Sequence, residues 1–298
     1  MEKSVDLFWQ LLVNGLVAGS GWALVALGFA LIFTVCRTFH LAHGAVYVAA
    51  GYLFYLFKVV LAWDAPLSFA MALLFTTLLG MAIELLVYRP MRRVNASPMI
   101  MLIASVGTLI FITNLVALIW TSQVKSLTAG KVQVGYTVGG VTFSQVNLLM
   151  VLTALALFGA LQVFLKTTRT GRAMRAVANN PMMAEAVGID AERIMLITMA
   201  LGSALAVPAG ALTALDIGAR PDMGLYAILM ATIAVKVGGI GSIPGAGFGG
   251  VFIGITAHLG VLKIPSQWQD AIAFGLLLLF IILRPTGFFG QKLYKAEV

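Results

Sequence analysis

His40 and His43 stand three residues apart in RTFHLAHGAVYVAAGY, close enough to share one helix face. Two imidazoles at that spacing supply half of a metal site, and a cation needs further ligands nearby. The sequence places none beside them, so the pair reads as structural, at a helix start. Other chemistry is harder still to assemble. The chain has no H-E-x-x-H, no G-x-x-x-x-G-K-[ST] phosphate loop, no paired central carboxylates and no nucleophile with a base. Its one cysteine, Cys36, excludes an internal disulfide and a Cys-rich metal site. The residues argue against an enzyme. Catalytic residues, metal and cofactor are expected to be none in this chain.

A few polar groups stand inside apolar stretches. A charge at mid-membrane costs about 2.5–3.5 kcal/mol on insertion scales, so each needs a reason. Glu84 falls near a span end, where it can meet Arg89; Lys58 falls near another end and can snorkel. Lys236 either snorkels or faces a watery cavity. Asn14, Thr113 and Asn114 are read as hydrogen-bonding partners between helices or as pathway groups.

The elements that hold these residues follow from composition. Of 298 residues 61% are hydrophobic and 10% charged, against about 45–50% and about 25% in soluble domains. Apolar runs recur at 7–35, 40–62, 66–87, 99–120, 143–165, 193–215, 224–240, 244–262 and 269–284. The expected fold is all-α, a polytopic helical membrane protein with eight or nine membrane segments in one domain, 1–298. The uncertain region is 224–262, either two spans or one span plus a re-entrant segment. No removable signal peptide is read, and the first span serves as the membrane address.

Charge sets sidedness. The segment 88–98 carries Arg89, Arg92 and Arg93, and 166–193 carries Lys166, Arg169, Arg172, Arg175 and Arg193. Between them, 121–142 has only Lys125 and Lys131. The positive-inside rule makes the first two cytoplasmic and the third external. The N-terminus is then outside, and Lys292 and Lys295 suggest a cytoplasmic tail. The net charge of +8 is read as orientation and contact with membrane lipid, with no nucleic acid as partner. The external stretch predicts a short hairpin around Gly139 and Gly140.

The polar interruption 166–192, KTTRTGRAMRAVANNPMMAEAVGIDAE, is built rather than slack. Asn180 is a good N-cap and Pro181 a favoured first helical residue. Met182 to Val187 then forms a short helix, and Gly188 ends it with a left-handed cap. Gly171 to Ala178, with Arg172 and Arg175, is also helix-compatible. A helix this short needs a surface to pack on. Met182 and Met183 offer adaptable apolar contact, and Glu185 a charge to pair. The segment reads as a docking helix for a soluble partner or as a solvated loop on the headgroups.

Glycines mark the close contacts. VGGIGSIPGAGFGGVFIG spaces Gly241, Gly245 and Gly249 by four, and a break is expected at Gly238, Gly239 and Pro244. Gly44, with Ala42, Ala45, Ala49, Ala50 and Gly51, makes a second small-residue stripe. Together with Asn14, Gly19, His43, Asn114 and Lys236, Gly44, Gly239, Gly241 and Gly245 are the candidates for helix packing and the pathway.

Three ordered segments resemble the LivH-type permeases of branched-chain amino acid ABC importers: GLVAGSGWALVALGFALIF with HLAHGAVYVAAGY, then GRAMRAVANNPMMAEAVGID, then VGGIGSIPGAGFGG. YRPMRR is similar to the family's basic loop after the third span. The likeness runs from about Asn14 to Phe289. It departs at His40, where an asparagine is common in the family, and at Lys236, where relatives are usually apolar.

The resemblance implies a second, related permease subunit, two cytoplasmic ABC ATPase subunits carrying the ATP and Mg, and an extracytoplasmic solute-binding protein. It implies a bacterial inner membrane location, and that Gly171 to Asp190 is the ATPase-coupling segment. The solute implied is a branched-chain amino acid, or urea, an amide or another small solute of close relatives. The other class to weigh is a self-contained secondary transporter or channel. Ion coupling leaves ionisable groups near mid-membrane, and the acids here cluster at span ends.

Overall fold

The computed structural model describes residues 2–128 and 135–290. Lys131, Lys292 and Lys295 lie outside the described residues. The chain runs α1 (Glu2–Cys36), α2 (His43–Tyr55), α3 (Ala65–Ile83), α4 (Arg89–Arg93), α5 (Pro98–Trp120), a hairpin of β1 (Gly135–Val138) and β2 (Val141–Ser144), α6 (Gln145–Thr167), α7 (Arg169–Asn179), α8 (Pro181–Ala186), α9 (Ala191–Ile217), α10 (Met223–Gly238), α11 (Ile243–Gly260) and α12 (Gln269–Leu283). Single π-helical stretches extend α2 over Leu56–Val60 and join α3 to α4 over Glu84–Tyr88.

Eight of these helices, with their extensions, are long and apolar enough to cross a membrane. The ninth apolar segment, α10, has 16 residues. At 1.5 Å per residue that is about 24 Å, short of the roughly 30 Å hydrocarbon core. The region 224–262 is thus a pair of helices, the first of them short.

Polar side chains start the helices where the chain enters them. Ser97, Ser144, Thr168, Asn180, Asp190 and Ser242 each accept a bond from a backbone N–H three residues on, at α5, α6, α7, α8, α9 and α11. Each cap satisfies a donor that the first helical turn leaves without an internal partner.

The buried centre is built from α1, α2, α9 and α10, while α3, α5, α6 and α12 cover it from one side only. Backbones approach where side chains vanish. A Cβ on Gly19 would come 2.8 Å from Val251 Cα, and one on Gly15 would come 2.8 Å from the Gly254 carbonyl. Gly44 and Gly224 face each other between α2 and α10, and Gly238 and Gly245 do so between α10 and α11. In lipid, where apolar burial gives little drive, such contact lets dispersion hold helices together.

The two ends of the bundle are tied separately. At one end Gln10 of α1 clasps the hairpin: its amide donates to the Thr142 carbonyl (2.9 Å) and accepts from the Thr142 N–H (2.8 Å). Gly139 and Gly140 make the hairpin turn with φ of 58° and 80°, as expected from their sequence. Lys125 pairs with Ala219 through two 2.9 Å backbone bonds at the same end. At the other end Arg89 and Arg93 pair with Glu192. The segments read as lying on one side of the membrane, 88–98 and 166–193, therefore share one end. Residues 121–128 and 135–142 lie at the opposite end.

Two expectations are corrected. Glu84 pairs with Arg92, not Arg89, which turns instead to Glu192. The π-helical stretch widens the turn after Glu84, so the residue under its carboxylate comes later than an α-helix would place it. A Cβ on Gly241 would meet nothing within 4 Å, so it marks no close helix contact; at φ 82° it serves the turn between α10 and α11.

Candidate coupling surface and solute cavity

The interruption 166–192 is two helices set against each other. α7 buries Gly171, Met174 and Val177 and exposes Arg172 and Arg175. Gly171 is needed where α7 folds back on α6: a Cβ there would strike the Phe164 carbonyl and lie 2.6 Å from Leu165 Cα. α8 follows as expected. The Asn180 Oδ1 accepts from the Met183 N–H at 3.1 Å, Pro181 opens the helix, and Gly188 at φ 85° closes it. The Ile189 N–H returns to the Ala184 carbonyl at 2.9 Å, completing the left-handed cap.

What α8 presents is unusual for so short a helix. Ala184 alone is buried. Met182 is 80% exposed, Met183 67% and Val187 76%, with Glu185 exposed beside them. This apolar tip points away from the rest of the chain, on the end that carries Arg89 and Arg93.

At the opposite end lies a cavity of about 630 Å³. Its deeper wall is buried and mostly apolar: Val25, Tyr47 and Met150. Its rim is charged, with Asp216, Arg220 and Asp222 exposed there, and Arg220 Nε lies 3.8 Å from Asp222. Tyr226 donates to Asp270 at 3.0 Å across the same opening. Asn14 lines it, and also accepts from Gln10 at 2.9 Å.

The other sequence candidates scatter. Gly19 and Gly44 serve packing at the contacts described above. His43 is fully buried with its ring against Gly28, where a Cβ would come 2.8 Å from Nε2. His40 is also buried, and its Nδ1 is 2.7 Å from the Tyr88 hydroxyl. Gly239, at φ 121°, admits the backbone of Phe289 and Gly290, and Gly245 meets Gly238. Lys236 is half-buried in the last turn of α10, with no ion-pair partner among the described residues. Its charge suits a helix C-terminus.

Asn114 departs from its expected place inside the bundle. It is exposed on α5 and donates to its own Ile110 carbonyl at 2.8 Å. A polar residue in an apolar run meets its need within its own helix here, and spacing gives no sign of that. The cavity rim gives no sequence signal for a related reason: Asp216, Arg220, Asp222 and Asp270 stand at span ends, where charge is ordinary.

A bundle of membrane-length helices around a polar opening has the architecture of a permease. The chain belongs to the branched-chain amino acid transport system permease family, whose model matches residues 11–281. It is 36% identical over 298 residues to the high-affinity branched-chain amino acid transport system permease protein BraD of Pseudomonas aeruginosa, covering 95% of this chain and 96% of that protein. It is 33% identical over 306 residues to the LivH permease of the same description from Escherichia coli, covering 98% of each. Among solved structures, PsaBC from Streptococcus pneumoniae matches with TM-score 0.52 and 15% identity over 91% of both chains, a likeness of fold.

Proposed function

We propose that this chain is the membrane permease subunit of an ABC importer for branched-chain amino acids or a related small polar solute. In this reading it has no ATPase site of its own and borrows its driving force from two cytoplasmic ATPase subunits. A second, related permease completes the pathway, and an extracytoplasmic binding protein delivers the solute. The N-terminus then faces outward and α7 and α8 face the cytoplasm of a bacterial inner membrane.

One observation carries the ATPase half of the reading: the capped helix α8, with Met182, Met183 and Val187 largely exposed at its tip. Exposed apolar side chains on a rigid short helix suit a cleft on a soluble partner. Glu185, Arg172 and Arg175 surround the tip with charges of both signs. The cavity suits the solute half: a charged rim of both signs above an apolar wall accommodates a zwitterion with an aliphatic side chain.

Reconstitution tests it. The chain is co-expressed with candidate ATPase and second-permease subunits, and placed in liposomes with the binding protein. Leucine uptake is expected to require ATP, and changing Met182 and Met183 to Glu is expected to abolish co-elution with the ATPases. Uptake by this chain alone, driven by an ion gradient without ATP, overturns the reading in favour of a secondary transporter.

A further inference from the structure

Arg37 is the residue after α1, and it is strained. Its N–H still bonds the Phe33 carbonyl at 3.0 Å, while its φ is 51°. That is the left-handed capping position that helices usually give to glycine. A bulky residue held there calls for a task for its side chain. The guanidinium is exposed to solvent at its flank, and its Nη2 donates to the Ala178 carbonyl at 2.9 Å and the Asn179 carbonyl at 3.1 Å. These are the free carbonyls at the negative end of α7, directly before the Asn180 cap of α8.

The backbone beyond Arg37 is locked to two other helices. His40 Nδ1 is 2.7 Å from the Tyr88 hydroxyl, in the π-helical stretch after α3. Tyr88 donates to Ser105 Oγ on α5 at 2.8 Å, and Ser105 Oγ accepts from the Ala42 N–H at 3.0 Å. His40, Tyr88 and Ser105 are all buried. Hydrogen bonds at either end of the turn 37–42, joined by its backbone, thus link the carbonyls of α7 to the π-helical stretch after α3 and to α5.

We propose that Arg37 is a positioning residue that ties α7 and α8 to the turn between α1 and α2, so that ATPase motion is delivered to the membrane helices. The proposal rests on the permease reading above. Arg37 is not assigned contact with solute or with ATPase. Its role is to make α7, α8 and the turn 37–42 one body. A lysine could hold one of the two carbonyls, and a glycine would relieve the backbone while deleting the link.

The test uses the assembled complex in liposomes, with ATP hydrolysis and leucine uptake measured together. For R37G, ATPase co-purification and ATP hydrolysis are expected to stay near wild type, while leucine taken up per ATP falls tenfold or more; R37K is expected to lie between. Wild-type uptake per ATP in R37G overturns the proposal, and so does loss of ATPase binding in R37G, which would make Arg37 part of the docking surface. Failure of the wild-type chain to recruit ATPases overturns the permease reading instead. Should R37G not fold, R37K and a distance measurement decide. Spin labels at Arg169 on α7 and Asn95 are expected to keep one narrow separation with and without trapped ATP in the wild type, and a broadened one in R37K. A wild-type separation that changes with nucleotide overturns the proposal.

Discussion

Arg92 closes an ion pair onto Glu84 from eight positions further along the chain. Glu84 is 1% exposed and the Arg92 side chain 18%, so the pair sits at the dry edge of the helical bundle. Both groups gave up most of their hydration to meet there. Neither can be lost alone without leaving the other buried and unpaired.

Glu84→Ala is therefore expected to cost about 3–5 kcal/mol, the usual penalty for an uncompensated buried charge. The double variant Glu84→Leu with Arg92→Met is expected to recover most of it. Thermal unfolding in detergent compares the two, and equal melting temperatures for the single and double variants would refute the pairing argument.

Arg89 with Glu192 looks alike on paper and is expected to behave differently. Their side chains are 37% and 39% exposed, and solvent screens what they share. Glu192→Gln is expected to change stability by no more than about 1 kcal/mol. A double-mutant cycle over Arg89 and Glu192 measures the coupling directly.

Gly44→Ala drives a methyl to within 2.5 Å of the Gly224 carbonyl, which belongs to a helix and cannot step aside. Overpacking of this kind is expected to cost about 1–3 kcal/mol. Gly275→Ala is the control, since nothing lies within 4 Å of a Cβ there. It removes a helix-weakening glycine and is expected to gain about 0.5–1 kcal/mol. Unfolding midpoints that move in the same direction for both would show that helix spacing does not limit stability.

Asn180→Ala removes the cap of α8 and is expected to weaken the helix locally by about 1 kcal/mol. The Met183 N–H loses its 3.1 Å partner, so its hydrogen exchange is expected to quicken, with leucine uptake reduced and assembly retained. Asn180→Asp keeps an acceptor and is expected to preserve protection.

Much of this was legible in the residues because membrane proteins write their constraints locally. The Asn180-Pro181 start and Gly188 stop of α8 are local backbone signals, and the helix forms within a residue of its expected bounds. Gly44 and Gly245 announced close backbones because in lipid only small residues allow them. What stayed hidden depended on register or on distant partners. Glu84 changed partner because a π-helical stretch alters the turn count, and no residue type marks that stretch. Asn114 was placed inside the bundle because a polar side chain does not reveal which face of a helix it occupies. Arg37 carries no local signal of its role, because its link to Ala178 joins positions 141 apart.

The short helix α10 has a bearing on the surrounding lipid. Most of its residues are enclosed by protein, so its modest length need not match the bilayer. The 23-residue helices α5 and α6 are mostly uncovered by this chain, so their outer faces are left to lipid or a partner chain. A thicker or thinner membrane therefore acts first on the outer helices through hydrophobic mismatch. The protein can then register bilayer thickness at its perimeter while its centre keeps its own dimensions.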